Sequence, residues 1–271
     1  MRSSDSTGSE TLEVLVITID EHYYIPKFLG DIVEAEAINV VGITTMPPSL
    51  GTQNLVMFAF DLFRRFGPKV FAQHSLFYAK FMLLDLFGRF TGWGPAYSPK
   101  TLAHRYDIDY RHTTDVNSDL YRKYAKAKNP DVIVSVAATQ KFGSDLLGVP
   151  ELGGINVHSS LLPEYRGVSP SFWALLHGNE KTGITVHYMD EDIDTGDVII
   201  QEPLTIQEED TLHSLNERVA ERGSGVLRRA LDDIRAGTID AEPINPDAGT
   251  YYSLPSREDV REFLHQGNEF Y

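Results

Sequence analysis

Short apolar runs alternate with amphipathic stretches along most of the chain. The runs from Leu12 to Ile19, Asn39 to Thr45 and Asp131 to Ala137 are typical of strands buried on both faces of a parallel sheet, and Gly154 to His158 is a shorter run. Apolar residues at helical spacing lie between and after them, over residues 24–37, 102–106, 121–128 and 171–177. This alternation predicts an α/β fold, a Rossmann-like three-layer α/β/α structure with a mainly parallel sheet. Such sheets bind ligands beyond the carboxyl ends of their strands.

A stretch crowded with phenylalanine and leucine interrupts the alternation at residues 55–90, within an insertion at about 55–93. Charged residues recur through it, so we predict one or two amphipathic helices, broken near Gly67-Pro68. We expect this helical insertion to cover the sheet or a partner subunit, as in a homodimer. Peripheral contact with a membrane surface is the alternative, which the mixed charges disfavour because interfacial helices usually carry an excess of cations.

The second half of the chain predicts two more strands, at 182–189 and 197–205, which we expect to pair around the loop 190–196. A long amphipathic helix follows, with Thr211 as its N-cap and Gly237 as its stop. A short extension then carries a final helix at 257–266.

These elements define the domain organisation that we expect. Residues 11–206 form the catalytic domain, and residues 207–271 form a C-terminal helix and short C-terminal extension. Residues 1–10 contain mainly Ser, Thr, Gly and acidic residues, which is typical of a disordered terminus.

Charge and composition narrow the class of partner. The 271 residues carry 24 Lys and Arg against 39 Asp and Glu, a formal net charge of -15. Such a surface repels phosphate backbones, so we expect no nucleic-acid partner. Cysteine is absent, which excludes disulfides and thiolate chemistry. We find no signal peptide and no apolar run long enough for a transmembrane segment, and we therefore expect a cytoplasmic protein.

Several familiar catalytic motifs are missing. The loop after the first strand, Asp20-Glu21-His22-Tyr23, has no glycine, so the dinucleotide fingerprint is absent. The sequence contains no GxxxxGK phosphate loop, no His-Glu-x-x-His and no Gly-x-Ser-x-Gly elbow. The nine histidines show no metal-binding spacing beside a carboxylate, so we expect no metal.

Three polar residues form a candidate site. Asn156 and His158 are two positions apart at a strand end, so their side chains point to the same side. An amide donor beside a tunable imidazole is what acyl transfer to an amine requires. Asp194 lies in a Gly-terminated loop that can bring its carboxylate to the imidazole, where it would fix the tautomer and raise the basicity. The alternative is structural: a turn or cap Asn, a core His and a turn Asp.

The sequence around these residues resembles a known family. Residues 156–167 read Asn-x-His-x-Ser-Leu-Leu-Pro-x-Tyr-Arg-Gly, and residues 190–197 read Asp-x-x-x-Asp-Thr-Gly-Asp. This combination is similar to the folate-dependent formyltransferases, which include glycinamide ribonucleotide transformylase, methionyl-tRNA formyltransferase and the sugar N-formyltransferases. The similarity is dense from Asp131 to Thr205 and fades on either side.

The resemblance implies roles for individual residues. Asn156, His158 and Asp194 match the family's catalytic Asn, His and Asp. The family's formyl donor is N10-formyltetrahydrofolate, and the residues that match its binding loops are Ala138, Thr139, Gln140, Lys141, Phe142, Asp190, Asp192 and Ile193. The residues that match the acceptor side are Ser159, Ser160, Tyr165 and Arg166. A rigid Pro-bounded turn, with Arg166 in a local ion pair, is the alternative for this second set.

The implied reaction moves a formyl group to a primary amine on a small molecule. Asn156 would donate to the developing oxyanion, His158 would position or deprotonate the amine, and Asp194 would orient His158. Methionyl-tRNA formyltransferases carry an extra C-terminal domain, for which little chain follows Ala236. Together with the acidic charge, this favours a nucleotide-linked amino sugar as acceptor. The alternatives are a methionyl-tRNA formyltransferase-like enzyme, a formyltetrahydrofolate hydrolase and a non-catalytic folate-binding protein.

Overall fold

A seven-stranded sheet lies at the centre of the computed structural model, which describes residues 11–48 and 55–271. The strands of the described chain are β1 (Leu12–Ile19), β2 (Ile38–Met46), β3 (Tyr110–His112), β4 (Val132–Val136), β5 (Gly154–His158), β6 (Arg166–Gly167), β7 (Lys181–Tyr188), β8 (Val198–Thr205) and β9 (Tyr251–Tyr252). Its α-helices are α1 (Tyr24–Val33), α2 (Leu55–Thr91), α3 (Pro99–Arg105), α4 (Asp119–Lys128), α5 (Ser144–Leu147), α6 (Pro170–Leu176), α7 (Leu212–Ala236) and α8 (Arg257–His265). The expected disorder of residues 1–10 lies outside the described residues.

The strand order in the central sheet is β3-β2-β1-β4-β5-β7-β8. The first five of these strands run parallel, whereas β7 is antiparallel to both β5 and β8. The predicted α/β fold with a mainly parallel sheet is therefore confirmed, and the two strands flanking the loop 190–196 pair as expected. Because β1, β4 and β5 are parallel neighbours, the loops after them meet at one edge of the sheet.

Helices cover both faces of this sheet, which explains why β1 is apolar at nearly every position. Val14 and Val16 enter a core that also contains the buried faces of α1 and α7. Leu15 and Ile17 point the other way, into a second core that contains Tyr121 of α4. A strand between two such layers buries both of its faces and loses the alternation of polar and apolar residues.

Helix α1 is shorter than predicted, whereas helix α2 is divided as predicted. Helix α1 ends at Val33 instead of Ala37, because the Ala37 carbonyl accepts a hydrogen bond from the Leu12 N–H at 3.0 Å and so belongs to the start of the sheet. Helix α2 is two helices joined at Gly67, whose φ of 78° is not helical. The predicted break near Gly67-Pro68 is therefore found, since a left-handed glycine followed by proline interrupts the helical hydrogen bonds.

A second, two-stranded sheet was not predicted. Strand β6 lies in the loop after β5 and pairs with β9 of the C-terminal extension, which joins Arg166 to Tyr251 and Gly167 to Tyr252. Two-residue strands carry too little periodicity to be recognised in a sequence. This pairing fastens the C-terminal extension to the loop that carries the candidate acceptor-side residues.

Candidate active site

Strand β5 presents two polar side chains at its carboxyl end. Asn156 and His158 alternate with the buried Ile155 and Val157, so they leave the same side of the strand. The antiparallel register of β5 and β7 places His187 opposite Asn156. Register partners in such a pair share a face of the sheet, so His187 lies beside Asn156 and His158.

Asp194 closes the site from the loop between β7 and β8. Its buried carboxylate accepts a hydrogen bond from the Gly167 N–H at 2.8 Å. Its Oδ2 lies 3.5 Å from His158 Nδ1, and its Oδ1 lies 3.5 Å from His187 Nε2. Asn156 Nδ2 donates to the same Oδ1 at 3.3 Å. The Asp194 carboxylate thus has the two other predicted residues, Asn156 and His158, and the unpredicted His187 around it.

A backbone carbonyl sets the tautomer of His158. The Tyr165 carbonyl oxygen lies 2.9 Å from His158 Nε2 and can only accept, so Nε2 carries the proton and Nδ1 is the basic atom. The expectation that Asp194 fixes the tautomer is therefore wrong, because the carbonyl is the nearer acceptor. Asp194 instead faces the basic nitrogen. When Nδ1 gains a proton, both N–H groups of the imidazolium have an acceptor.

Burial and charge act together on the protonation of this pair. Burial lowers the pKa of His158 below its ordinary value of 6.5, and the Asp194 carboxylate opposes that shift. For Asp194, burial acts to raise the pKa, but the positive charge that His158 carries when protonated, the neighbouring His187 and the Gly167 N–H favour the carboxylate and bring the pKa to about 2. At neutral pH the site therefore holds a carboxylate beside a neutral imidazole, the state in which His158 accepts a proton.

The orientation of Asn156 depends on its neighbour on β7. His187 Nδ1 donates to the Tyr188 carbonyl at 2.7 Å, which leaves Nε2 as an acceptor for Asn156 Nδ2 at 3.2 Å. Both hydrogen bonds of the Asn156 amide are long for this kind of contact, so a better acceptor in the site can take one of these N–H groups. His187 is thus a positioning residue for Asn156.

The four candidate acceptor-side residues have different surroundings in the structure. The hydroxyl of Ser160 is fully buried and donates to the Glu164 carbonyl at 2.6 Å, the contact expected from the turn alternative. Ser159 remains partly exposed beside it. Tyr165 stacks on His177 at 5.8 Å between ring centroids. Arg166 makes no ion pair within the described residues and instead donates to the Pro246 carbonyl at 3.1 Å.

The two predicted folate-side loops contact each other through Lys141. The Lys141 ammonium lies 3.4 Å from both the Glu191 carbonyl and an Asp192 carboxylate oxygen, and so bridges them. Asp190 accepts from the Thr195 hydroxyl at 2.7 Å and stiffens the second loop. The other predicted folate-side residues differ in their exposure to solvent. Ala138, Thr139, Gln140 and Ile193 are partly exposed, whereas the side chain of Phe142 is buried in the second core, so only its backbone faces the loops.

Another buried carboxylate, Glu21, follows β1 at this edge. Its Oε2 accepts from the Tyr24 N–H at 2.7 Å and the Ile25 N–H at 3.0 Å, so it caps α1. Burial raises its pKa to about 7, although these hydrogen bonds oppose the shift. The N–H groups that a phosphate would use at a helix N-terminus are therefore already occupied, in agreement with the missing dinucleotide fingerprint.

Residues 94–231, half of the chain, match the family described as formyl transferase. The chain belongs to the formyl transferase family. This family member is 38% identical over 152 residues to a methionyl-tRNA formyltransferase of Halothermothrix orenii, which covers 56% of this chain and 48% of that protein. It is 36% identical over 142 residues to one from Caldanaerobacter subterraneus, with 52% and 46% covered. The chain thus spans about half the length of these relatives.

Solved structures of formyl transferases share the fold. Glycinamide ribonucleotide transformylase 1 from Symbiobacterium toebii has a TM-score of 0.60 at 17% identity, over 90% of this chain and all of that one. An N-formyltransferase from Helicobacter canadensis has a TM-score of 0.59 at 15% identity, over 93% and 80% of the two chains. At these identities the likeness shows the fold alone.

The sequence prediction missed His187 in this formyl transferase site. Its signal was available, because His187 alternates with apolar neighbours on a predicted strand, but only the register with β5 places it opposite Asn156. Among the described residues, no group of three His, Cys, Asp or Glu side chains is arranged to hold a metal ion.

Proposed function

We propose that this chain is an N-formyltransferase that moves a formyl group from N10-formyltetrahydrofolate to a primary amine. One observation supports this above all: a neutral imidazole whose basic Nδ1 faces a buried carboxylate lies beside an amide donor. That set supplies a proton acceptor, a charge that stabilises the protonated acceptor, and a donor for an oxyanion.

The chemistry follows from these positions. The amine nitrogen forms a bond to the formyl carbon, and an N–H of Asn156 turns from its long contact to the oxyanion that develops on the formyl oxygen. His158 Nδ1 takes the proton that the amine loses, and Asp194 stabilises the imidazolium. The bond between the formyl carbon and N10 then breaks, and the proton passes from His158 to N10. Donors placed in this way contribute about 3 kcal/mol each.

The folate co-substrate is proposed to bind against the loops that Lys141 bridges. The partly exposed residues 138–140 follow β4, and the partly exposed Ile193 lies in the loop that also carries Asp194. We expect folate bound against these loops to present its formyl group to Asn156. The buried Phe142 supports this loop from beneath.

For the acceptor we propose a nucleotide-linked amino sugar. The relative from Helicobacter canadensis is an N-formyltransferase in complex with folinic acid and dTDP-3-aminofucose, and another fold neighbour, from Shewanella, is a sugar N-formyltransferase with a TM-score of 0.56. The net charge of -15 weighs against the second candidate, tRNA, which the names of the matched relatives favour.

An acceptor screen tests both parts of this proposal. The full chain is incubated with N10-formyltetrahydrofolate and, in turn, nucleotide-linked amino sugars, the same sugars without the nucleotide, and methionyl-tRNA, and loss of the donor is followed by folate absorbance. We expect turnover with a nucleotide-linked amino sugar, abolished in His158→Gln and retained in His265→Gln, an exposed histidine of α8. Formate release without any amine would identify a hydrolase, folate binding without turnover a binding protein, and turnover only with methionyl-tRNA the tRNA enzyme.

A further inference from the structure

Helix α2 is fastened to the body of the protein along one side. Val70 and Phe81 are buried, and Phe66 packs edge-to-face on Phe270 at 5.6 Å between ring centroids. Near its end, the buried Asp85 forms an ion pair with Arg89 at 2.7 Å. These contacts fix which face of the helix points away from the sheet.

The face that points away is also apolar. Leu76, Leu83, Phe87 and Phe90 are separated by seven, four and three residues, so they form one stripe along the helix. Leu76 is 72% exposed and Phe90 is 84% exposed. Trp93, shortly after the helix, is 81% exposed. We call this set, with the adjoining Met82 and Leu86, the outer face of α2.

An apolar surface of this extent marks a site of contact, since a helix that is hydrophobic on all sides is normally covered. No residue of the described chain packs over the side chains of the outer face, which are all exposed. None of the helices in the described residues is long and apolar enough to cross a membrane. A covering surface that the helix lies on, without crossing it, meets both conditions.

The outer face could be covered by a lipid surface or by a second copy of the chain, and the charge of α2 favours the lipid. Helix α2 carries five basic and two acidic side chains, a formal charge of +3, in a chain whose net charge is -15. Asp85 is buried and paired with Arg89, which leaves four basic side chains of α2 against one exposed acid, Asp61. Arg64, Lys69 and Lys80 are exposed on this helix.

A second copy of the chain fits this surface poorly. A two-fold dimer through the outer face brings the same patch of each chain together, so the cations of α2 would face those of the second copy. Anionic lipid headgroups complement the cations, while the acyl region accepts the leucines and phenylalanines, and an exposed tryptophan suits the boundary between them.

We propose that the outer face of α2 docks this protein on an anionic lipid bilayer surface, with the helix lying in the plane of the headgroups. The half of α2 after the break, residues 68–91, is about 36 Å long at 1.5 Å per residue, so it offers the stripe as an extended line of contact. This proposal is independent of the acceptor, because it rests only on the surface of the insertion.

Vesicle flotation of the full chain tests the proposal. We expect the protein to float with phosphatidylglycerol-containing vesicles, to float much less with pure phosphatidylcholine vesicles, and to be released as salt is raised. Leu83→Glu should weaken binding at least about tenfold, because burying one leucine side chain is worth that much. The matched control is Leu120→Glu, which changes a leucine of α4 that is 72% exposed, as against 67% for Leu83.

A second measurement uses the two tryptophans of the chain. Trp93 emission should shift to shorter wavelength with anionic vesicles, whereas Trp173 is buried and serves as the internal reference. The proposal is overturned if the folded protein stays unbound at every lipid composition. It is also overturned if sedimentation shows a lipid-independent dimer that Leu83→Glu dissociates, since the outer face would then belong to a second copy.

Discussion

Replacing Asp194 by asparagine removes one negative charge from the site while it preserves the size and shape of the side chain. Asp194 Oδ2 lies 3.5 Å from His158 Nδ1, and a unit charge pair at that separation is worth about 5 kcal/mol at an effective dielectric constant of about 20. The cost of burying both charges offsets part of this, so we expect a net loss of about 3 kcal/mol of transition-state stabilisation. That loss corresponds to a fall in kcat of roughly 100-fold.

The same substitution changes how stability depends on pH. The folded-state pKa of Asp194 is about 2, below its ordinary value of 3.8, so the folded protein holds the charged form to lower pH than the unfolded chain does. The carboxylate therefore adds about 2 kcal/mol of stability above pH 4, which is lost as the pH falls from about 4 towards 2. Urea unfolding at several pH values should show Asp194→Asn less stable at neutral pH, by an amount that shrinks on acidification.

Initial-rate measurements with N10-formyltetrahydrofolate and an accepted amine give the kinetic half of this test. Asp145→Asn is the matched control, because Asp145 is an exposed carboxylate of α5 whose ion pair is with Arg122 at 3.0 Å on the surface. Near-ultraviolet circular dichroism establishes that the variant is folded. A folded Asp194→Asn that retained more than about one tenth of the wild-type kcat would refute the reasoning, since a charge 3.5 Å from the base would then matter little.

Three further predictions follow from the geometry. Asn156→Ala should lower kcat by about 10²- to 10³-fold with little change in folate binding measured by titration, because the amide acts on the oxyanion; equal losses in both would contradict this role. Glu21→Gln should stabilise the protein at pH 8 by about 3 kcal/mol in urea unfolding and leave its stability unchanged below pH 4.5. The reason is that the raised pKa of Glu21, about 7, makes the wild-type folded state lose stability as the pH rises from 4.5 to 7. Equal stability of variant and wild type at pH 8 would count against this prediction. Gly167→Ala should destabilise the protein by about 2 kcal/mol or more, because Gly167 has a φ of 96° and an added Cβ would lie 2.2 Å from the Tyr252 carbonyl oxygen. It should also lower kcat, because the Gly167 N–H holds the Asp194 carboxylate in place. An unchanged unfolding midpoint would show that the turn adapts to the added Cβ.

Much of the candidate site was recoverable from the sequence because it follows local rules. The alternation of a strand places Asn156 and His158 on one side, and a loop between paired strands brings Asp194 to them. The positioning role of His187 was not recoverable, because it depends on which residue of β7 stands opposite Asn156. The carbonyl that sets the His158 tautomer was also hidden, since every residue has one and only the path of the loop aims that of Tyr165 at Nε2.

The sequence by itself determined the order of the longer strands and helices, the break at Gly67 and the apolar character of the insertion, because these depend on residue type and spacing over short stretches. Tertiary structure alone decided which face of α2 stays exposed, that Asp85 is buried and paired with Arg89, and that the C-terminal extension pairs with β6. Burial, strand register and charge pairing depend on contacts between residues that are far apart in the chain. A single sequence does not show which of these residues are close in space.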